Sequence, residues 1–187
     1  CLLSEKNRWV VDGKLVLKKD DVVYGHDDAD GLISLTMLYR VFGCEVKPSE
    51  QFGHYEDETT VMVDEVPNPV SGFNGLVIDH HPQHISPEST EPVEGRPYWL
   101  IFRRVPASLI VFDLVKDRLP KRLWWLVVVG LMGDGQAELT PIEVWMEHRK
   151  LLKMYGELAS TERGWSYIKS RPVSYTHLRA HETRHDL

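Results

Sequence analysis

The chain has 187 residues, of which 42% are hydrophobic and 27% are charged, and its formal net charge is −6. This composition is typical of a globular protein. It gives no overall basic signature for nucleic-acid binding, although a local patch or bound cations can supply the attraction. Two cysteines make no disulfide framework, and the longest apolar run, Leu123–Met132, is too short to cross a bilayer. We therefore expect a cytoplasmic protein without a membrane segment.

Both ends of the chain are set apart from the fold prediction. Residues 1–20 are expected to be a truncated N-terminal lead-in to a domain that covers residues 21–170. Residues 173–187 show no apolar periodicity and resemble translated adapter sequence from sequencing libraries. A natural polar tail is the alternative for this last segment, which is excluded from the fold prediction in either case.

Strands and helices alternate in the first half of the predicted domain. The apolar strand DVVYGHD ends near His26, and apolar residues at helical spacing then predict a helix that stops at Gly43. A weaker strand, CEVKPSEQF, follows it. The segments TTVMVDEVPNP and GLVIDHHP predict two more strands, each ended by proline.

Helices dominate the second half. After a loop at Pro82–Pro97 and a short candidate strand, YWLIF, two helices open after or at a proline, in PASLIVFDLVKDRLP and PKRLWWLVVVGLMG. The last predicted helix, TPIEVWMEHRKLLKMYGEL, is amphipathic. This alternation predicts an α/β fold with a parallel β-sheet that is flanked by helices and covered on both faces.

Acidic residues and histidines concentrate where predicted strands end. His26, Asp28 and Asp30 alternate along an extended segment, so their side chains can point the same way, and Gly31 then permits a tight turn into the helix. The carboxyl ends of parallel strands meet at one edge of a sheet. We therefore expect the acids and histidines of later motifs to join them there: Asp64, Asp79, His80, His81 and Asp134.

Carboxylate and imidazole ligands without thiolates suit Mn²⁺ or Mg²⁺ rather than structural zinc. The carboxylates are too many for one ion, but two divalent ions about 3.5–4 Å apart would use them and would activate a water against a phosphoryl group. Taken singly, each motif is also typical of a solvated acidic turn or a helix cap. The occurrence of all these motifs at the ends of successive strands favours a metal site at the C-terminal ends of the strands.

In order along the chain, GHDDADG, VMVDE, VIDHHP and GLMGDG resemble the four signature motifs of the DHH phosphoesterase superfamily, over about Gly25 to Gln136. The resemblance implies a catalytic domain that holds two Mn²⁺ (or Mg²⁺) ions and hydrolyses phosphoester or phosphoanhydride bonds. The family's C-terminal substrate-binding domain is expected to be absent. Whether the isolated fragment is active without it is left open by the sequence.

The resemblance also implies a role for each motif residue. His26 and Asp28 would bind the first ion, and Asp64 would bridge both ions. The second ion would be bound by Asp30, His80 and Asp134. His81 would face the substrate phosphate as an electrophile or proton donor, and Asp79 would orient a ligand histidine from behind.

The tight first motif, HDDADG, is similar to that of RecJ-like single-strand exonucleases, apart from the acidic Asp27. We therefore expect a hydrolase, an exonuclease-type phosphodiesterase that acts on single-stranded DNA or short oligonucleotides. The alternatives are hydrolysis of small nucleotides or pyrophosphate, and a catalytically silent DHH-fold binding module. The sequence does not define the oligomeric state.

Three residues outside the motifs are weighed as further phosphate contacts. Arg103 and Arg104 precede a candidate helix start, where arginines and a helix N-terminus can together hold phosphate; a solvated loop is the alternative. His84 is a third candidate contact, although an exposed loop histidine is the simpler expectation.

Overall fold

The structure is a computed structural model that describes residues 8–49, 58–68, 72–84 and 95–159. The predicted tail at 173–187, the end of the predicted domain and the centre of the Pro82–Pro97 loop lie outside these residues. The strands and helices of the described part are β1 (Val10–Val11), β2 (Lys14–Leu15), β3 (Val22–His26), α1 (Ala29–Phe42), β4 (Glu45–Ser49), β5 (Val61–Val63), β6 (Leu76–Asp79), β7 (Trp99–Phe102), α2 (Ala107–Val115), α3 (Leu126–Gly133) and α4 (Ile142–Ala159).

Five of these strands form one sheet in the order β4-β3-β5-β6-β7, and every pair in it is parallel. The predicted α/β fold, a parallel sheet flanked by helices, is confirmed. The chain runs from β3 through α1 to β4 on one side and then returns to place β5 on the other side of β3. In open parallel sheets such a reversal leaves a crevice at the carboxyl ends of the strands.

The two faces of the sheet are covered differently. Alternate strand residues such as Val23, Val63 and Ile78 are fully buried in a large core with α1, α2 and α3. The other face carries a small cluster around Met62 and Val77, which contains no residue of a described helix. Within the described residues, helices therefore cover one face of the sheet rather than the two that we predicted.

The lead-in contains structure that the sequence did not predict. Strands β1 and β2 form a short antiparallel hairpin. Around this hairpin, the side chains of Trp9, Leu15 and Leu17 belong to the same core as α1 and α2. Residues 8–20, the described part of this lead-in, therefore pack as part of the sheet-containing unit.

The helices follow the prediction with local differences. The predicted helix after Pro120 is divided into a 3₁₀ turn at Lys121–Leu123 and the helix α3. Helix α4 is amphipathic as predicted and contains a non-helical residue, His148. Among the described residues, no helix combines the length and apolarity that a membrane span requires.

Candidate metal centre

The ends of three neighbouring strands bring the predicted motifs to one edge of the sheet. Gly25 on β3 is in register with Val63 on β5, which is in register with Ile78 on β6. The next residue on each strand path is His26, Asp64 or Asp79. The three motifs therefore meet side by side at the carboxyl edge, beside the reversal between β3 and β5.

Asp64 directly follows β5 and has an unusual backbone conformation. Its φ is 58°, in the left-handed region that Asp and Asn adopt more readily than most residues. Its backbone N–H still donates to the Ile78 carbonyl at 2.9 Å, so the turn stays attached to β6. The residue is only 2% exposed, which places a carboxyl group in the interior of the cluster.

The first motif forms the start of α1. Asp28 is the N-cap: its Oδ1 accepts from the Gly31 N–H at 3.0 Å, and its Oδ2 lies 3.3 Å from Nδ1 of His26. A Cβ on Gly31 would lie 2.2 Å from the His26 carbonyl oxygen. Gly31 therefore allows the first turn of α1 to approach the His26 backbone closely, as expected for a tight turn into the helix.

Asp30 is anchored by a helix far away in the chain. The residue is fully buried, and its two oxygens accept from the backbone N–H groups of Ala107 at 2.6 Å and Ser108 at 3.0 Å. These are the first amides of α2, whose dipole favours a negative charge at that end. The N-terminus of α2, considered above as a phosphate site, is thus filled by the Asp30 carboxylate.

Two glycines inside α3 bring Asp134 to the same place. A Cβ on Gly133 would lie 2.6 Å from the Ala29 Cβ, and one on Gly130 would lie 2.3 Å from the Ser108 Oγ. Because both positions lack a side chain, α3 can approach the starts of α1 and α2. Asp134 then follows as the C-cap residue of α3, directly at the cluster.

The acidic and imidazole side chains fall into three overlapping groups. In each group, one ligand atom per residue lies within 4.8 Å of the others: His26, Asp28 and Asp64; Asp30, His80 and Asp134; and Asp64, Asp79, His80 and His81. All six predicted metal ligands are brought together, and the cluster could bind a metal ion. The first two groups match the division between two ions that the resemblance implies, while the individual roles stay predictions.

His80 connects the groups. Its Nε2 lies 3.2 Å from Oδ1 of Asp64 and 3.5 Å from Oδ2 of Asp134. The same nitrogen is 3.9 Å from Oδ2 of Asp30. One imidazole therefore faces three carboxyl groups that arrive from three different segments of the chain.

The crowded carboxyl groups hold their protons unusually tightly. Burial raises the pKa of Asp64 to about 10, and the carboxylates of Asp30 and Asp28 contribute to the rise. Burial also raises the pKa of Asp30 to about 6, against the opposing effect of its hydrogen bonding to Ser108. The pKa of Asp134 is raised mainly by burial. A bound cation would reverse this balance, because it favours the charged carboxylates.

Asp79 behaves in the opposite way. Burial alone would raise its pKa, but hydrogen bonds from His81 and His84 outweigh burial and hold the pKa well below its usual range. Its Oδ1 lies 2.7 Å from Nδ1 of His81 and accepts from the backbone N–H of His80 at 2.7 Å. We predicted that Asp79 orients a ligand histidine; its carboxylate contacts the rings of His81 and His84, and it contacts His80 through the backbone N–H of that residue.

His84 is the residue that sequence reasoning misjudged. It was expected to be an exposed loop histidine, yet it is fully buried, and its Nε2 lies 2.7 Å from Oδ2 of Asp79. The signal available in the sequence was its spacing: Pro82 follows the DHH motif and opens the single 3₁₀ turn Pro82–His84. That turn directs the side chain back toward the strand end.

The two arginines do not gain support from the geometry. Arg103 Nη1 pairs with Oδ2 of Asp113 at 2.8 Å on the exposed side of α2. Arg104 is exposed in the connection between β7 and α2. Their role as substrate contacts therefore stays a prediction from the sequence.

Comparison of the chain with models of known protein families gives no match, and comparison with curated proteins gives no significant match. The fold and the cluster define the chain as an α/β protein with a group of acids and histidines that could hold a metal ion.

Proposed function

We propose that the chain is a metal-dependent phosphodiesterase of the DHH type, which hydrolyses single-stranded DNA or short oligonucleotides. The observation that carries this proposal is the arrangement of the six candidate ligands. They form two adjacent groups, and Asp64 contacts both, since it belongs to the group of His26 and lies 3.2 Å from His80 in the other. A shared carboxylate would hold two divalent ions at the separation of about 3.5–4 Å that is typical of two-metal sites.

The residues fit a pair of hard divalent cations. The donors are carboxylate oxygens and imidazole nitrogens, which suit Mn²⁺ or Mg²⁺. Cys44, the thiol in the described part of the chain, is buried in the hydrophobic core. His26 and Asp28 would hold one ion, Asp30, His80 and Asp134 would hold the other, and Asp64 would be shared. When bound, such a pair activates a water and neutralises the charge of a phosphoryl group under in-line attack.

The exposure of the candidate ligands indicates the side from which a substrate could reach the cluster. The side chains of His26 and Asp28 are 28% and 48% exposed. Asp30 and Asp64 are buried behind them. A phosphodiester can therefore approach from the side of the first motif, while the buried carboxylates are held by α2 and by the end of β5.

His81 is the candidate for direct interaction with the substrate. Its hydrogen bond to Asp79 raises the pKa of the imidazole, which keeps it protonated over a wider pH range. Because Nδ1 faces Asp79, Nε2 is the ring nitrogen that would hydrogen-bond to the phosphate or give a proton to the leaving oxygen. This is the general acid task that histidine performs in many hydrolases.

The proposal is tested by hydrolysis with Mn²⁺ of three substrates: a single-stranded oligonucleotide, a dinucleotide and pyrophosphate. We expect hydrolysis of the first two, at a rate that Asp64→Asn lowers about a hundredfold to a thousandfold, as expected for loss of a group that stabilises charge at the reacting centre. The matched control is Asp117→Asn, an exposed acid at the other end of α2. Undiminished hydrolysis in Asp64→Asn would refute the proposed site, and preference for pyrophosphate would refute the proposed substrate class.

A further inference from the structure

The buried histidine His84 has no role in the function proposed so far. It lies at the end of the 3₁₀ turn that follows the DHH motif, and it is 0% exposed. The rings of Tyr98 and Phe102 meet its imidazole edge-on, with centroid distances of 6.0 and 6.2 Å. Burial of an imidazole is unfavourable unless its polar atoms are hydrogen-bonded.

Both ring nitrogens of His84 have partners. Nε2 lies 2.7 Å from Oδ2 of Asp79, and Nδ1 lies 3.2 Å from the Tyr98 hydroxyl. The backbone carbonyl of His84 also accepts from the Arg96 guanidinium. The imidazole is therefore fixed in orientation, and it directs one nitrogen at Asp79.

Asp79 is in turn shared between two histidines. Its Oδ2 contacts His84, and its Oδ1 contacts Nδ1 of His81 at 2.7 Å. A carboxylate is free to rotate about its last side-chain torsion, which has a broad energy profile. A partner on each oxygen removes that freedom and holds Oδ1 in position for His81.

We infer that His84 is a positioning residue, which holds Asp79 in the orientation that directs His81 at the leaving oxygen of the substrate. This inference rests on the proposed phosphodiesterase function. In the reaction, water attacks phosphorus, the bond from phosphorus to the leaving oxygen breaks, and that oxygen takes a proton from His81. The proton that the attacking water loses restores the charge of His81, so the imidazole is regenerated.

This role differs from mere filling of the core in one measurable respect. Proton donation by His81 speeds the departure of a sugar hydroxyl, because the corresponding alkoxide anion is a poor leaving group. It has little effect on the departure of p-nitrophenolate, which leaves as a stable anion. Loss of the His84 hydrogen bond should therefore slow dinucleotide hydrolysis selectively, whereas general loosening of the fold should slow both reactions.

The test uses His84→Leu, which removes both hydrogen-bonding atoms, and His84→Gln, whose amide can still donate to Asp79. With Mn²⁺ present, we expect His84→Leu to lower kcat for a dinucleotide about tenfold to a hundredfold, the usual effect of losing an orienting partner. KM and the Mn²⁺ affinity should change less than about twofold, and bis-p-nitrophenyl phosphate should be hydrolysed at close to the wild-type rate. His84→Gln should recover most of the dinucleotide activity.

Equal losses on the two substrates, or an unchanged kcat in His84→Leu, would overturn the inference. Tyr98→Phe supplies a second variant in case His84→Leu does not fold, because it removes one hydroxyl and keeps the ring. We expect Tyr98→Phe to lower kcat several-fold for the dinucleotide and not for bis-p-nitrophenyl phosphate. Equal effects on the two substrates in this variant would also overturn the inference. Failure of the wild-type chain to hydrolyse either substrate would instead refute the proposed function.

Discussion

Asp64→Asn separates the burial of the Asp64 carboxyl from its proposed ligand role. Without metal, the pKa of Asp64 is about 10, so the group is neutral at pH 7. Asparagine has nearly the same shape, is also neutral, and tolerates the φ of 58° at this position. The metal-free variant should therefore unfold with a free energy within about 1 kcal/mol of that of the wild type.

Mn²⁺ should reveal the difference between the two proteins. A ligand that binds only the native state at a hundredfold excess over its dissociation constant stabilises that state by about 2.7 kcal/mol. For a chain of this size, 1 kcal/mol corresponds to about 2–4 °C in Tm, so we expect a rise of roughly 5–11 °C in the wild type. Asp64 contacts both ligand groups, so Asp64→Asn should lose most of that rise.

The assay is thermal unfolding at pH 7, with chelator and then with Mn²⁺. Asp117→Asn is the control and should keep the full rise in Tm. Asp64→Ala should be less stable than Asp64→Asn in chelator by about 1–2 kcal/mol, because alanine disfavours the left-handed backbone. A rise in Asp64→Asn equal to that in the wild type would refute the assignment of Asp64 as a shared ligand.

Three further results are expected. The pKa values of Asp30 and Asp64 are raised to about 6 and about 10, so above about pH 4 the folded metal-free protein binds more protons than the unfolded chain. Its unfolding free energy should therefore fall as the pH rises toward 10, by at most about 1.4 kcal/mol per pH unit for each group. A rise in stability with pH in chelator would contradict this. Mn²⁺ binding should release protons at pH 7, which calorimetry in buffers of different ionisation enthalpy would measure; zero release would contradict the raised pKa values. The Cβ of a Gly130→Ala variant would lie 2.3 Å from the Ser108 Oγ, so this variant should be destabilised by about 1–3 kcal/mol and should bind Mn²⁺ more weakly. A Gly130→Ala variant as stable as the wild type would show that α3 does not need this close approach.

The convergence of the motifs was predictable because it depends on local rules. Each motif follows a short apolar run, and parallel strands in register bring their carboxyl ends to one edge. The register that aligns Gly25, Val63 and Ile78 is what converts this sequence order into spatial proximity. The sheet and the position of the cluster therefore followed from hydrophobic pattern and strand ends.

Other features depend on tertiary contacts that no local pattern contains. Asp30 is held by α2 amides 77 and 78 positions away, and the buried His84 packs against the aromatic rings of Tyr98 and Phe102. The hairpin of β1 and β2 consists of two-residue strands, which are too short to show periodicity. Gly130 and Gly133 act as contact points between α3 and the starts of α2 and α1, and this role too depends on the tertiary packing.

Counting the bound ions is the most direct test of the metal centre. Calorimetric titration of the chain with Mn²⁺, combined with electron paramagnetic resonance of the loaded protein, gives both the number of ions and whether they are neighbours. Two Mn²⁺ per chain with magnetic coupling are expected, and Asp64→Asn should abolish the coupling. An absence of Mn²⁺ binding, or one isolated ion per chain, would contradict the account of the cluster given above.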